Sequence, residues 1–529
     1  MTARMGLAAL AVACSVVAFP SFAQKSGGIL RIEHMDTPPS ASMHEEATVS
    51  VAVPFMALYN NLVIFDQNVA RNSFESIVPD LAESWQWSDD GKKLSFKLRQ
   101  GVQWHDGKPF TSADVVCTFD LLLGGESEGK LRRNPRGAWW SNVEKATAEG
   151  DFAATLHLKD RQPSLLALLA SGYTPIYPCH VPVADMRRKP IGTGPFKFVE
   201  FKMNEGIKLA KNTNYWKKGR PYLDGIEYTI IPDRSTRMLA FASGKYDMTF
   251  PTDVTVPLLK NIKKDAPNAQ CTMRYTGVST NLIVNRDRPP FDDPKIRKAM
   301  ALTLDRQSFI DILSEGQSRM SAAMLPPPAG VWGMPEEMLK TLPGYGDVAK
   351  AREEGRELMK QAGYGPDKRL KVKVSTRNIA TFRDPAVILI DQLKHIYIDA
   401  ELEVIDTAVY YNRVFKKEYA VALNLTGSAV DDPDVTFFEG YACGSLRNYN
   451  NYCSPEMTKL FEAQSRETEF EKRLKLVWEI DKKLQEDIAR PIIQNGMAAG
   501  CWHPHVKGVV IQTNSIYNGW RFEDVWLDR

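Results

Sequence analysis

The sequence predicts an α/β protein, and three observations carry that prediction. Strand-like segments at Leu370–Val374, Leu402–Ile405 and Ala420–Leu425 alternate with helix-like ones, an order that builds sheets covered by helices. Helix ends are marked: Asp293 caps a helix whose first residue is Pro294, and a run from Asp347 to Ala362 stops at Gly363,. Trp85, Trp87, Leu94, Phe96 and Leu98 alternate with polar residues across Asp89-Asp90-Gly91, the pattern of a hairpin with a glycine where φ must be positive. The chain has 529 residues, 43% hydrophobic and 25% charged. Those are ordinary globular proportions, and the length suits roughly two to four domains.

Taken in order, residues 1–23 read as a secretion signal. Arg4 is the basic end, Leu7 to Phe19 the apolar run, and Ser21-Phe22-Ala23 the small-x-small cleavage site,. The apolar run is too short to cross ~30 Å of hydrocarbon as a helix. A lipoprotein reading at Cys14 fails, because Ala11-Val12-Ala13 lacks the usual leucine and the apolar run continues past the cysteine. The mature protein is therefore expected in the periplasm, cut near Ala23.

Ile29 to Ile32 is the first strand. After the hairpin, Gly101 ends its second strand and His105 to Pro109 form a turn. Thr111 and Ser112 then precede a helix with Val115, Val116 and Phe119 on its apolar side,. In Pro190–Phe201, Gly192 and Gly194 bracket Thr193 in a tight turn that feeds strands, and Asn212 to Trp216 follow as NTNYW. Ile226 to Met248 reads as strand, turn at Pro232-Asp233, and helix ending at Gly244. Asp384 is expected to cap a helix from Pro385 to His395. Ser454 and Pro455 are expected to open one long helix reaching about Ile488,. Of the 11 tryptophans, Trp85, Trp87, Trp216 and Trp478 read as core,.

Charge and motifs exclude several functions. The net charge is +3 and falls by one when Arg4 leaves with the signal. No basic run stands out, so no nucleic acid is expected as a partner. Gly124 to Leu131 nearly spells a phosphate-binding loop, but Leu131 stands where a Mg²⁺-holding hydroxyl is needed. His44-Glu45-Glu46-Ala47-Thr48 lacks the second histidine of a zinc protease. His503 and His505 fit a strand entrance better than a metal site. There is no G-x-S-x-G and no C-x-x-C. No catalytic set, cofactor or metal is expected, and the protein reads as a non-enzyme. Six cysteines remain after the signal, an even number that permits disulfides in an exported protein. Cys443 and Cys453 flank the polar loop GSLRNYNNY and are the expected pair.

The stretch Pro79–Val116, PDLAESWQWSDDGKKLSFKLRQGVQWHDGKPFTSADVV, resembles the family 5 extracytoplasmic solute-binding proteins of ABC importers. That family shows P-x-L-A-x-S-W, then D-G-x-x-y-x-F-x-L-R-x-G-V-x-F/W-H-D-G and t-A-x-D-V. Its G-T-G-P-[FY], N-x-x-Y-W and S-G-x-x-D elements are present too. So is the block at Asn281–Arg306, where Thr303 replaces the usual alanine.

The resemblance implies a type II periplasmic-binding-protein fold: two lobes around a ligand cleft plus an extra α+β domain. The first lobe would comprise 24–59, 172–275 and 490–529, the extra domain 60–171, and the second lobe 276–489. Cys179 would pair with Cys501 if the C-terminus folds back on the first lobe. Ligand would be captured by hinge closure and handed to a membrane permease whose ATPase is a separate subunit. The receptor is expected to be a monomer. Short peptides are the expected solute. Nickel or other metal chelates, oligosaccharides, opines and haem are the alternatives within the class, and a ligand-presenting chemosensory protein is the alternative of another class.

Cleft anchors are expected at lobe edges. Thr426 to Phe438 aligns with the family's cleft-lining segment, but the family's amine-binding Asp falls here on Ser428 or Ala429. Either Asp431 or Asp432 takes its place, or a free amino terminus is not held in that way. A carboxylate would want an arginine fork. Arg377 and Arg383, with Asn378 beside Arg377, lie at a strand-to-helix junction of the kind where α/β lobes bind ligands. Glu33 and His34, just after the first strand, are the candidates from the other lobe.

Overall fold

The computed structural model describes residues 24–125 and 130–529. The signal expected over residues 1–23 and the middle of the Gly124–Leu131 loop lie outside the described residues. In chain order, β1 is Ile29–His34, β2 Ala82–Trp87, β3 Lys93–Leu98, α1 Ser112–Leu123, β4 Val143–Ala148 and β5 Ala153–Leu158. Then come β6 Phe196–Lys202, β7 Gly206–Lys211, β8 Gly225–Ile230 and α2 Arg234–Ala242. The second half holds β9 Gln270–Val284, α3 Pro294–Leu302, β10 Leu370–Arg377, α4 Ala380–Leu393, β11 Ile398–Ile405 and α5 Thr407–Phe415. It ends with β12 Val421–Gly427, α6 Pro433–Tyr441, α7 Pro455–Arg466, α8 Phe470–Glu486 and β13 Ile492–Trp502.

Three sheets organise these elements. The first has the order β1-β8-β7-β6, the second β11-β10-β12-β9-β13, and the third β2-β3-β5-β4. In the third, β3 buries Leu94, Phe96 and Leu98 and exposes the residues between them, as a period of two requires. Its core is continuous with that of the first sheet: Phe96, Val115 and Phe119 belong with Leu30, Ile32 and Phe55. The second sheet has its own core, with Leu282, Val284, Val374, Leu389 and Leu423. The first and second sheets thus mark two lobes, and the third sheet is built onto the first lobe.

The sequence motifs turn out to be mutual fasteners. Asp114 caps α1 by accepting from its own Thr111 N–H at 2.9 Å, and it also accepts from the Trp104 indole and the Cys179 N–H. His105 accepts from the Gly192 N–H through Nδ1 and bonds the Gly194 carbonyl through Nε2, both at 3.1 Å. The HDG turn therefore holds the Gly-Thr-Gly turn. Gly192 and Gly194 lie so close to the Leu58–Tyr59 backbone that a Cβ on either would overlap it, which only glycine avoids.

Two strands pass from one lobe to the other. β9 and β13 pair from Gln270↔Trp502 to Tyr275↔Met497, lose register, and pair again from Ser279↔Asn495. Gly277 stands in the break at φ +66°. Met248 bridges both Ile32 of β1 and Trp502 of β13, tying the first half of this ladder to the first sheet. The second half belongs to the second sheet through β12. An irregular, glycine-containing break between two ladders is where bending is absorbed.

The structure corrects three expectations. The cysteines pair 117–179, 271–501 and 443–453. Cys179 is taken by its neighbour on α1, and Cys501 faces Cys271 directly across the β9/β13 ladder, so the Cys179–Cys501 pair does not form. The long helix from Ser454 is two, α7 and α8. The break lets Arg473 of α8 bond Gln464 of α7 at 3.1 Å while reaching Asp432. Finally, α4 starts at Ala380, with Pro385 inside it. Pro385 removes only the bond to the Thr381 carbonyl in the first turns, so the helix begins before the proline rather than at it.

Candidate functional site

Side chains on β9 alternate between two chambers. Thr276, Val278 and Thr280 line one, and Gly277, Ser279 and Asn281 line the other. Cross-strand partners follow the same rule: Thr280 and Leu425 face the first chamber, Ser279 and Thr426 the second. The chambers therefore lie on opposite faces of the hinge strands. Their empty volumes, mouths included, are about 750 and 620 Å³.

The first chamber is walled by both lobes. Met35, Thr48, Thr252 and Thr255 come from the first lobe, and Arg377, Thr381, Phe382 and Tyr411 from the second. Six threonines in all stand in its wall: Thr48, Thr252, Thr255, Thr276, Thr280 and Thr381. Arg377, at the end of β10, is 2% exposed and rigidly held. Its Nη2 donates to Asp36 Oδ2 at 2.5 Å and its Nε to the Thr407 hydroxyl at 3.0 Å. Thr407 also donates to Asp36, at 2.6 Å. The guanidinium lies over the rings of Phe382, at 4.5 Å, and Tyr411, at 5.3 Å, where the ring quadrupoles stabilise its charge. Tyr517 closes one side of the chamber and packs so tightly on Gly427 that a Cβ there would meet its ring and hydroxyl.

The other residues singled out in the sequence are placed as follows. Glu33 is spent inside the first lobe: it pairs with Arg237 Nε at 3.0 Å and accepts from the Phe250 N–H. Burial, with Asp253 nearby, pushes its pKa up to about 8. His34 accepts from the Asp36 N–H through Nδ1 and bonds the Ser50 carbonyl through Nε2, so Nε2 carries the proton. Burial takes its pKa down to about 4. Neither lines a chamber. Asp432 caps α6 and forms a two-point pair with Arg473 at 2.8 and 3.0 Å, a structural use. Asn378 and Arg383 are exposed and outside both chambers. Asp431 lines the second chamber, where its carboxylate accepts from the Val331 N–H at 3.2 Å.

Asp36, Thr407, Phe382 and Tyr411 were not singled out by sequence reasoning. A signal existed for Asp36, which lies two residues beyond His34 on the same strand exit. The others depend on which helix ends meet the end of β10. No helix among the described residues is long and apolar enough to cross a membrane, and no group of three metal-binding side chains occurs among them.

Two lobes joined by paired hinge strands, with a chamber between them, are the architecture of a binding protein that closes on its ligand. Residues 76–447 match the model of the bacterial extracellular solute-binding proteins, family 5, and the chain belongs to that family. The members are substrate-binding proteins of transporters and not enzymes. The chain is 27% identical over 438 residues to the oligopeptide-binding protein AppA of Bacillus subtilis, covering 77% of this chain and 76% of that one. It is 25% identical over 460 residues to di/tripeptide-binding protein 1 of Pseudomonas aeruginosa, covering 82% of each. In fold it matches the periplasmic binding protein DppA of Helicobacter pylori, solved with the peptide STSA, at a TM-score of 0.83 and 24% identity, over 96% of this chain and 99% of that one. The fold is that of the type II periplasmic binding proteins.

Proposed function

We propose that this receptor captures short peptides in the chamber between its lobes and presents them, closed, to the permease of an ABC importer. The observation that carries the reading is the wall itself: one fixed guanidinium among six threonine hydroxyls. Hydroxyls both donate and accept, as peptide N–H and C=O groups require, and sequence-independent backbone contacts suit a receptor for varied peptides. Asp36 and Thr407 orient Arg377 and occupy two of its donor positions. Its remaining fork is the donor for a peptide carbonyl or C-terminal carboxylate. Relatives named for oligopeptides and for di- and tripeptides support the same solute class.

On this reading the first lobe comprises 24–59, 172–275 and 490–529, the second lobe 276–489, and 60–171 is a domain added to the first. Leaving the membrane with a cleaved signal, the receptor works in the periplasm as a monomer. The test is calorimetric titration of the mature protein, stripped of carried-over solute by unfolding and refolding, with di- to pentapeptides, opines, oligosaccharides and nickel chelates. Peptides binding, with Arg377→Ala weakening them at least tenfold, is the expected result. Binding of another class alone overturns the peptide reading and leaves the receptor role standing.

A further inference from the structure

The chamber on the far face of β9 has no part in the reading above, yet its wall is built of charge. Arg447 and Arg490 are 4% and 3% exposed, and Glu439 is 4% exposed. Glu439 Oε2 pairs with Arg447 Nη1, and Arg447 Nη2 donates to the Gly427 carbonyl at 3.2 Å. Arg490 Nη2 donates to the Gly440 and Arg447 carbonyls at 2.9 and 2.6 Å. Nε of Arg447 and Nε of Arg490 have no hydrogen-bond partner, and neither do Glu439 Oε1 and Asn281 Oδ1. All four residues line the chamber.

The charges around Glu439 do not balance. Arg447 pairs with it, a second buried guanidinium, Arg136, is close enough for its charge to act on it, and Arg490 bonds only backbone carbonyls, with no carboxylate partner of its own among the described residues. Aromatic faces take up part of the excess: Arg136 lies 3.3 Å from the Tyr173 ring centroid, and Arg490 lies over Tyr441 and Tyr449. Asp431, the other acid of the chamber, accepts from Val331 and forms no ion pair with these arginines among the described residues. A buried cation without full compensation is costly, and an unmade bond from a buried donor adds to the cost.

We infer that this chamber is an anion subsite that takes a carboxylate, held by Arg447 and Arg490. A carboxylate presents two acceptors to two orphaned donors and supplies the missing negative charge. The chemistry is the same whether the group is part of the transported solute or a free small carboxylate. Ser279, Asn281 and Asn495 place the subsite directly on the hinge strands, so a bound anion stiffens the pair of strands that closure must bend.

The test uses the mature, refolded protein and two variants that move affinity in opposite directions. Arg447→Gln removes a donor and a positive charge. Glu439→Gln keeps the shape and the acceptor but removes the competing carboxylate. Acetate is the probe for a free carboxylate, and the dipeptide pair Ala-Glu and Ala-Gln is the probe for a solute-borne one. By calorimetry, carboxylate binding is expected to weaken about tenfold in R447Q and to tighten several-fold in E439Q. A variant that merely damages folding cannot tighten binding, so E439Q keeps the test decisive if R447Q folds poorly. Acetate binding with this pattern assigns a free anion. An Ala-Glu preference over Ala-Gln with this pattern assigns the solute's own side chain. If no peptide binds while acetate does, the subsite stands and the peptide reading falls. If neither acetate nor Ala-Glu responds to E439Q, water alone satisfies the chamber and the inference is overturned.

Discussion

Asp36, two residues beyond the first strand, forms an ion pair with Arg377 at the end of β10, and this contact joins the two lobes at the wall of the chamber between them. Thr407 completes it by donating to the same carboxylate oxygen. A second cross-lobe contact, Arg234 with Asp384 and Thr381, is more exposed: the Asp384 side chain is 50% accessible.

The two contacts therefore differ in weight. Asp36→Ala strands a buried guanidinium and should disfavour the closed state by about 2–5 kcal/mol. Asp384→Ala removes a solvated pair worth about 0–1 kcal/mol. Small-angle scattering of the unliganded proteins should show a larger radius of gyration for D36A and no change for D384A. Equal radii for D36A and the wild type would remove Asp36–Arg377 as a closure contact.

Desolvation in the second chamber pushes the Asp431 pKa up to about 7, with Asp432 adding repulsion. The folded state thus binds a proton there that the unfolded state, at the ordinary carboxylate pKa, releases. Its contribution to stability is lost as pH rises from about 4 through 7. Asp431→Asn lacks this loss, so its melting temperature should gain on the wild type progressively between pH 4 and pH 8. A difference that stays constant with pH would contradict a carboxyl shifted in this direction.

Cys271–Cys501 links residues 230 apart and fastens the first half of the hinge ladder, whereas Cys443–Cys453 closes a separation of only 10. Chain entropy restrained in the unfolded state grows with the loop closed. Replacing both Cys271 and Cys501 by serine should cost about 2–5 kcal/mol in urea denaturation, and more than the same exchange at Cys443 and Cys453. The reverse order would mean that native contacts, not loop length, govern these bridges.

Gly192→Ala sets a methyl group into the Leu58 carbonyl, and backbone cannot move aside as a flexible side chain can. It should destabilise by more than the ~1–3 kcal/mol usual for overpacking. Gly101→Ala, where nothing lies near the added carbon but φ is +75°, should cost about 1–2 kcal/mol. Thermal denaturation of the pair measures the difference, and similar losses would show that the turn can withdraw from Leu58.

The sequence by itself determined the local structure and the class. Period-two burial in β3, the caps Asp293 and Ser454, and the turn glycines are legible because they depend on neighbours a few residues away. The motif residues are legible for the same reason, and Asp114 and His105 show their purpose once the turns they fasten are seen. What only the tertiary structure decided is which side chains meet across distance. Arg377 stood out as a candidate, but its partner Asp36 comes from the other lobe, 341 residues away. Glu33 and Asp432 looked available until Arg237 and Arg473 were found to hold them. Arg447 and Arg490 lie in an unremarkable loop and at a strand entrance, and their common chamber exists only where both pack behind β9. Charges brought together in this way interact through space, and the strength of the interaction depends on separation and burial, neither of which is written in the order of residues.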